Sequence, residues 1–297
     1  MELRHLRYFV AVAEEGSLTL AAERRLHTAQ PSLSRQIRDL EHEVGVPLLT
    51  RTPRGVELTE AGAVFLDYAR MALAQADTAR EAARKAGKPE KGSLAIGFLT
   101  GQEMYWLPEV MRICREALPD VGVAVTSMTS PALADEVAHG RLDLAFMRRE
   151  PTPNLEYRQV RREPIVVALP VDHRLAREPA IRPQALVGET FIGVSPVARV
   201  LRGIIDDYLC RSGVIIVPDH DVDNLAMAVS LIASTGGVGL APAYVEKLLP
   251  AALVTRPLEG EVPTIDLVVG YLGTNRSPSL KAFLSKLETL VAGVSNS

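Results

Sequence analysis

The residues with the most specific chemistry in this chain are consecutive: Gln30-Pro31-Ser32-Leu33-Ser34-Arg35. Gln and Arg can each make two hydrogen bonds to a purine edge in the major groove, and Ser hydroxyls reach bases or phosphates. Leu33, Ile37, Leu40 and Val44 recur at steps of four, three and four, so they form one face of a helix turned to a core. Gln30, Ser32, Ser34 and Arg35 are then expected on its outward tip, with Thr28 in the turn before it. Pro31 fits the first helical turn, where no amide partner is needed. Arg24, Arg25, Arg38, Arg51 and Arg54 add cations where DNA would lie, whereas Glu14, Glu15, Glu41 and Glu43 belong to other faces.

The elements that must hold this tip can be read on either side of it. Leu3, Leu6, Val10 and Ala13 share one side of a first helix with Phe9 beside them, and Gly16-Ser17 ends that helix and caps the next. Three short helices therefore share one small core. Beyond the third, residues 46–51 and 56–59 flank Thr52-Pro53-Arg54-Gly55, the pattern of two brief strands around a turn. That is a wing with Arg54 at its tip.

The opening Met1-Glu2-Leu3-Arg4-His5-Leu6-Arg7-Tyr8-Phe9, the Ala-Gln-Pro-Ser-Leu-Ser-Arg-Gln-Ile run from Ala29, and the Pro-Leu-Leu-Thr-Arg and Leu-Thr-Glu-Ala-Gly segments together resemble the LysR-type transcriptional regulators. The resemblance implies an α/β protein with an N-terminal winged helix-turn-helix (1–59), a long linker helix and hinge (60–92), and a two-lobed, periplasmic-binding-protein-like effector domain (93–297). Its lobes would comprise 93–162 with 268–297, and 163–267. It implies a double-stranded DNA operator, a small-molecule effector, a homodimer or homotetramer, and RNA polymerase as a further partner. In the family the interval between the paired alanines and Gln-Pro is one residue shorter, and here Arg24 and Arg25 stand together. One added residue corresponds to about 100° of helical phase, so a changed angle between the second and third helices is expected.

From Glu60 to Gly87 the chain is alanine-rich and free of proline, which predicts one long helix. Phe65, Ala69, Ala72, Ala76, Ala79, Ala83 and Ala86 recur at steps of four and three, a heptad seam whose small side chains let a second helix approach closely. In the resembling family this helix pairs with its partner's copy. Gly87-Lys88-Pro89-Glu90-Lys91-Gly92 then reads as a linker.

Strand and helix alternate after that linker, implying a mostly parallel sheet covered on both faces. The chain crosses near residues 161–164, runs through units at 190–194, 198–211, 225–234 and 238–241, returns at 267–271, and ends in a helix over 277–291. Two crossings predict two lobes with a cleft between them. Ligands in open α/β sheets sit where strand ends face helix starts, which selects Thr100-Gly101, Ser130-Pro131, Ser195-Pro196 and Asp223-Asn224. Helix N-termini with free amides and hydroxyls favour a carboxylate, although Ser130, Ser195 and Asn224 could equally be plain caps. The family resemblance implies effector contacts at Gly101, Ser130 and the loop from Ser195 to Arg202, which includes Arg199. Arg148 and Arg149 could neutralise an acidic ligand, with a surface ion pair as their expected role. Residues 163–176 further resemble regulators of phenylpropionate and related aromatic-acid catabolism, which implies an aromatic carboxylate.

Other chemistries find little purchase. The net charge is −3, so DNA affinity must come from local cations and from a dimer. His42-Glu43 lacks the second histidine of a zinc helix, and the neighbours Asp219-His220-Asp221 point in different directions. Thr235-Gly236-Gly237-Val238-Gly239 lies between a helix and a strand, the reverse of a phosphate-binding loop. No cofactor or metal is called for. Cys114 and Cys210 lie far apart in helix-like stretches and are expected as buried thiols; a redox-sensing regulator would pair nearby cysteines in one lobe. The start lacks a continuous apolar segment and no run has membrane-spanning length, so a cytoplasmic protein is expected. The competing function is a solute-binding or small-molecule enzyme domain whose N-terminal helices serve assembly.

Overall fold

The computed structural model describes residues 1–53, 55–86 and 92–295. They fall into two compact units, spanning 1–88 and 89–297.

In the first unit α1 (Leu3–Glu15) ends at Gly16 in the left-handed conformation, and the Ser17 side chain then accepts a hydrogen bond from the Leu20 amide to start α2 (Leu18–Leu20). The next residues, Ala21–Leu26, form a π-helical turn that closes on His27 at φ 46°. The residue added at Arg24-Arg25 falls within this turn, and a π-turn closes from residue i to i+5, so it holds one residue more than an α-helical turn. α3 (Gln30–Val44) comes next, then β1 (Leu49–Thr52) and β2 (Gly55–Leu58), paired antiparallel as the expected wing. Phe9, Leu33, Leu40 and Leu48 are fully buried in the shared core, each stabilising it by roughly 1.5–3 kcal/mol.

α4 (Glu60–Ala86) is the long helix. Its start is fixed by Thr59, whose hydroxyl donates to the Pro47 carbonyl at 2.8 Å and accepts from the Gly62 amide at 2.9 Å. At Gly62 an added Cβ would lie 2.0 Å from the Leu48 carbonyl oxygen, so the helix enters as closely as it does only because that side chain is missing.

The second unit carries β3 (Ser93–Leu99), α5 (Glu103–Ala117), β4 (Gly122–Met128), α6 (Ser130–Ala138), β5 (Leu144–Met147) and the sixteen-residue β6 (Leu155–Pro170). Then come β7 (Phe191–Val194), α7 (Arg199–Arg211), β8 (His220–Val222), α8 (Leu225–Thr235), β9 (Val238–Pro242), β10 (Leu253–Pro257), β11 (Thr264–Leu272), α9 (Pro278–Leu284) and α10 (Leu287–Ser295). The strand order is β4-β3-β5-β11-β6-β9-β7-β8, with β10 also on β6. β6 is the hinge element. Its first half pairs with β11, and its second half, Ile165–Ala168, pairs with β9. One core gathers Leu94, Phe98, Trp106, Phe146 and Phe283; the other gathers Ile165, Val167, Phe191, Ile205 and Leu240.

Three expectations are corrected. The C-terminal helix is two, because the Ser285 hydroxyl donates to the Ala282 carbonyl at 2.7 Å and the Lys286 amide turns back to Phe283, and such local bonds compete with the helical ladder. The sheet is not mostly parallel: β3 pairs parallel with β4 and β5, and β7 with β8 and β9, but β11 pairs antiparallel with β5 and β6, and β6 antiparallel with β9 and β10, because the crossing strands run back between the lobes. Cys210 is exposed on α7, whereas Cys114 is buried on α5.

Candidate functional site

Two surfaces carry the predicted residues, one in each unit. On α3, Pro31, Ser32, Arg35 and Arg38 are exposed, and Thr28 and Gln30 are half-buried at its start. Arg35 stands 4.0 Å from Asp39, and the Arg38 Nε donates to the Ser34 carbonyl at 3.3 Å. Ser34 is not on the tip. It is buried, and its hydroxyl accepts from Arg51 Nη2 at 3.0 Å, which fastens the wing to α3. The physical reason is phase: position 34 directly follows core residue Leu33 and precedes Ile37 by three, so it sits on the flank of the buried stripe. Glu41 has a similar duty that sequence reasoning missed, its Oε1 accepting the amides of Leu48 and Leu49 at 2.8 and 3.0 Å.

The cation cluster is also smaller than expected. Arg24 is exposed, but Arg25 is held by the Glu14 carboxylate, which Arg70 of α4 reaches at 2.7 Å as well. Those two guanidinium groups keep the Glu14 carboxyl below its ordinary pKa. Arg54, expected at the wing tip, lies outside the described residues.

The predicted helix seam divides. Phe65 packs edge-on against Phe9 with centroids 5.2 Å apart, and Ala69 is buried in the same core. Both are used inside the unit and do not belong to a free face. Ala72, Ala79 and Ala83 are exposed and Ala76 is half-buried. The unpartnered apolar stripe is instead Val64, Tyr68 and Met71, at steps of four and three. Val64 and Tyr68 edge an open groove of about 610 Å³ that also includes Val44 and Val46. Heptad spacing finds the apolar side of a helix; it does not say which part of that side the chain covers itself.

In the second unit a cavity of about 160 Å³ opens where the ends of β3, β7 and β9 meet the starts of α6 and α8. Its walls are mostly apolar, from residues such as Leu99, Val194, Leu225 and Leu240. Thr100, Ser130 and Asn224 line it as predicted. The Thr100 hydroxyl accepts from Ser127 at 3.3 Å, and Asn224 caps α8 by accepting the Met227 amide at 2.8 Å. Ser130 is no cap. It is the first residue of α6, and its hydroxyl accepts the Arg148 amide at 2.9 Å.

Four predicted contacts fall outside the lining. Gly101 turns at φ +93° against the Tyr244 ring, where its missing Cβ would sit 3.4 Å away, so it serves the turn. Ser195 caps the short turn after β7 by accepting the Val197 amide. Arg199 pairs with buried Glu150 at 3.0 Å, and Arg202 is divided among the Val194 carbonyl, Asp206 and Asp221. Their positive charge is already neutralised within the fold.

The group that sequence reasoning weighed and misplaced is Arg148. It is 4% exposed, not a surface ion pair, and it lines the cavity. Its Nη2 donates to Glu163 Oε2 at 3.1 Å, while Nη1 is buried without a partner. Glu163 also accepts from the Gln102 amide at 3.3 Å, and Gln102 in turn accepts from the Trp106 indole at 3.2 Å. Arg149, by contrast, is exposed over the Tyr157 ring at 5.1 Å. Burial pushes the Tyr244 hydroxyl, beside Arg148, up to about 12, so it remains a neutral donor across the physiological range. Asp219, part of the acidic-histidine cluster, accepts the Phe191 amide at 2.8 Å. No group of His, Cys, Asp or Glu that could hold a metal ion occurs among the described residues.

A winged helix-turn-helix with a polar recognition helix, together with a two-lobed domain enclosing a cation-lined apolar cavity, defines a ligand-responsive DNA-binding regulator. Residues 3–63 match the family model described as bacterial regulatory helix-turn-helix protein, lysR family, and residues 87–291 match the LysR substrate binding domain. The chain belongs to the LysR family of transcriptional regulators, which bind DNA operators and small-molecule effectors and oligomerise. It is 38% identical to the Hca operon transcriptional activator HcaR of Escherichia coli (strain K12) over 296 residues, covering 99% of both chains. The crystal structure of full-length BenM matches with a TM-score of 0.61 and 28% identity over 99% of this chain and 98% of that one. Full-length CbnR in complex with its target DNA matches with a TM-score of 0.57 and 26% identity, over 98% of this chain and 100% of that one. No helix among the described residues is long and apolar enough to cross a membrane.

Proposed function

We propose that this regulator senses a small aromatic carboxylate in the cavity of its second unit and reads its operator with the start of α3. The observation that carries the ligand reading is Arg148: a buried guanidinium with one unpartnered nitrogen at the wall of an otherwise apolar cavity. A buried donor left unsatisfied is costly, by about 1–3 kcal/mol and more when charged, and a carboxylate would satisfy it with a charge-assisted bond. Ser130, Thr100 and the starts of α6 and α8 supply further polar contacts, and the leucine and valine walls suit a ring. Gln30, Ser32 and Arg35 contact bases, with Thr28, Arg38 and the wing residue Arg54 at the phosphates. The domains divide at 1–59, 60–92 and 93–297. Val64, Tyr68, Met71 and the exposed alanines of α4 form the face for a second copy. The protein acts in the cytoplasm without a catalytic step, with RNA polymerase as its downstream partner.

Calorimetry of the full-length chain with benzoate tests the ligand reading. Wild type should bind, and Arg148→Gln should weaken binding at least tenfold while operator affinity without ligand stays unchanged. Equal binding by both proteins would remove Arg148 from the site.

A further inference from the structure

The two most exposed large apolar side chains among the described residues stand two positions apart in the second unit: Ile215 is 90% exposed and Val217 82%. They belong to the segment between α7 and β8, where Val214 is buried, Ile215 exposed, Ile216 half-buried and Val217 exposed. A period of two is that of a strand with one covered face. Yet this segment pairs with nothing. Among the described residues no amide or carbonyl of Ile215, Ile216 or Val217 makes a hydrogen bond. β8, into which the segment leads, is the last strand of its sheet and pairs with β7 alone. Exposed Val187 joins Ile215, Ile216 and Val217 around an open groove of about 310 Å³. An unpaired edge that carries apolar side chains is a template for another strand.

Length and charge select what that strand is. α7 ends at Arg211 and Pro218 has no amide to donate, so a ladder is confined to residues 214–217. A flexible peptide would lose its conformational freedom for very few bonds, whereas the same edge on a second copy is already ordered. The charges are arranged for such a copy. Arg211 lies at one end of the edge, donating to Asp207 at 3.0 Å through its Nε, and exposed Asp219, Asp221 and Asp223 lie at the other. Antiparallel pairing of the edge with itself sends each acidic end toward the partner's basic end.

We propose that residues 214–217 are an interface between two copies of this chain, paired antiparallel about a two-fold axis at Ile216. Ile215 then faces the partner subunit's Val217, and Val217 the partner subunit's Ile215, as a self-complementary contact requires. Four exposed apolar side chains are covered together. The face belongs to the second unit and is separate from the α4 face of the first, so each can fail without the other.

Sedimentation velocity of the full-length chain over a concentration series tests the interface. Tyr68→Glu, which disables the α4 face, should still give dimers, and adding Ile215→Lys with Val217→Lys should leave monomers, since edge lysines block strand addition. In an otherwise wild-type chain the two lysines should halve the largest assembly and leave the thermal midpoint unchanged, because both side chains are exposed. Cross-linking reads the register. In a Cys210→Ser background Ile216→Cys should form a disulfide-linked dimer under mild oxidation, because directly opposed Cα atoms in an antiparallel pair lie about 4.5–5.5 Å apart, within disulfide reach; Ser212→Cys, off the axis, should not. An assembly unaffected by the two lysines, a Tyr68→Glu chain that is already monomeric, or equal cross-linking at positions 212 and 216 would each overturn the proposal. So would a Lys-Val-Thr-Val-Lys peptide that binds the edge without competing with self-association, which would assign the edge to a different protein. Loss of assembly with the lysines but not with Tyr68→Glu would instead remove the α4 face and leave this one standing.

Discussion

Gln30 and Arg35 sit at the same end of α3 but differ in what holds them. Gln30 is half-buried and so oriented by its surroundings, whereas Arg35 is exposed with only a 4.0 Å contact to Asp39. A side chain with two hydrogen bonds to a base contributes about 1–3 kcal/mol of discrimination, and less of it is lost to ordering when the side chain is already held. Gln30→Ala and Arg35→Ala should each reduce the ratio of operator to scrambled-sequence affinity by about fivefold to a hundredfold, the Gln30 variant by more. Ser34→Ala should leave that ratio intact and lower the thermal midpoint, since Ser34 holds Arg51 and not a base. Competition binding separates the two outcomes, and unchanged discrimination in both the Gln30 and Arg35 variants would remove the tip from the readout. The exposure of Ser32 and Arg35 was legible because an apolar stripe at steps of four and three leaves the opposite face to solvent. Arg148, Glu163 and Gln102 were not, because hydropathy marks charged and amide side chains as surface. Only the fold brings the partners of a buried ion pair together.

At the scale of elements the π-turn Ala21–Leu26 is the clearest departure from what spacing predicts. It keeps Ala21 and Ala22 in the core and leaves Glu23, Arg24 and Arg25 at the surface, so the wide part of the turn faces solvent. Deleting Arg24 should convert the turn to regular α-helix, with an equal or higher thermal midpoint and retained operator binding. A midpoint lowered by about 4 °C or more, roughly 1 kcal/mol for a domain of this size, would mean that the wide turn is structurally required. α4 gives the complementary test. Tyr68 is 66% exposed, whereas neighbouring Ala69 is 2% exposed. Tyr68→Glu should leave the unit folded and shift sedimentation toward smaller species, with weaker operator binding because two half-sites are no longer engaged together. Ala69→Glu should unfold the unit instead, since it buries an unpaired carboxylate. The length of α4 was plain from its alanine content, but the division of its seam was not. Which face a helix keeps free depends on Phe9 and Leu48, residues far from it in sequence.

Across the whole molecule a ligand can alter operator occupancy only through a difference in its affinity for two arrangements of the protein. The second unit has an element suited to such a difference. β6 and β11 run from one lobe core to the other, their register slips between Leu267 and Val268, and Asp266 beside the slip is held by Gln159 at 2.9 Å and Arg162 at 2.8 Å. These are exposed bonds, and an exposed ion pair contributes about 0–1 kcal/mol. Asp266→Asn should therefore change ligand affinity by no more than about fivefold in either direction, by biasing the lobes and not by touching the ligand. Arg148→Gln acts at the ligand itself, so its loss should be the larger. Footprints on the operator with and without benzoate complete the comparison. Wild type should show a ligand-dependent shift in protected positions, Arg148→Gln should keep the basal footprint and lose the shift, and Asp266→Asn should reach the full shift at a displaced ligand concentration. If Asp266→Asn abolishes the shift while binding ligand normally, the crossing strands transmit the signal and do more than set the resting balance between lobes.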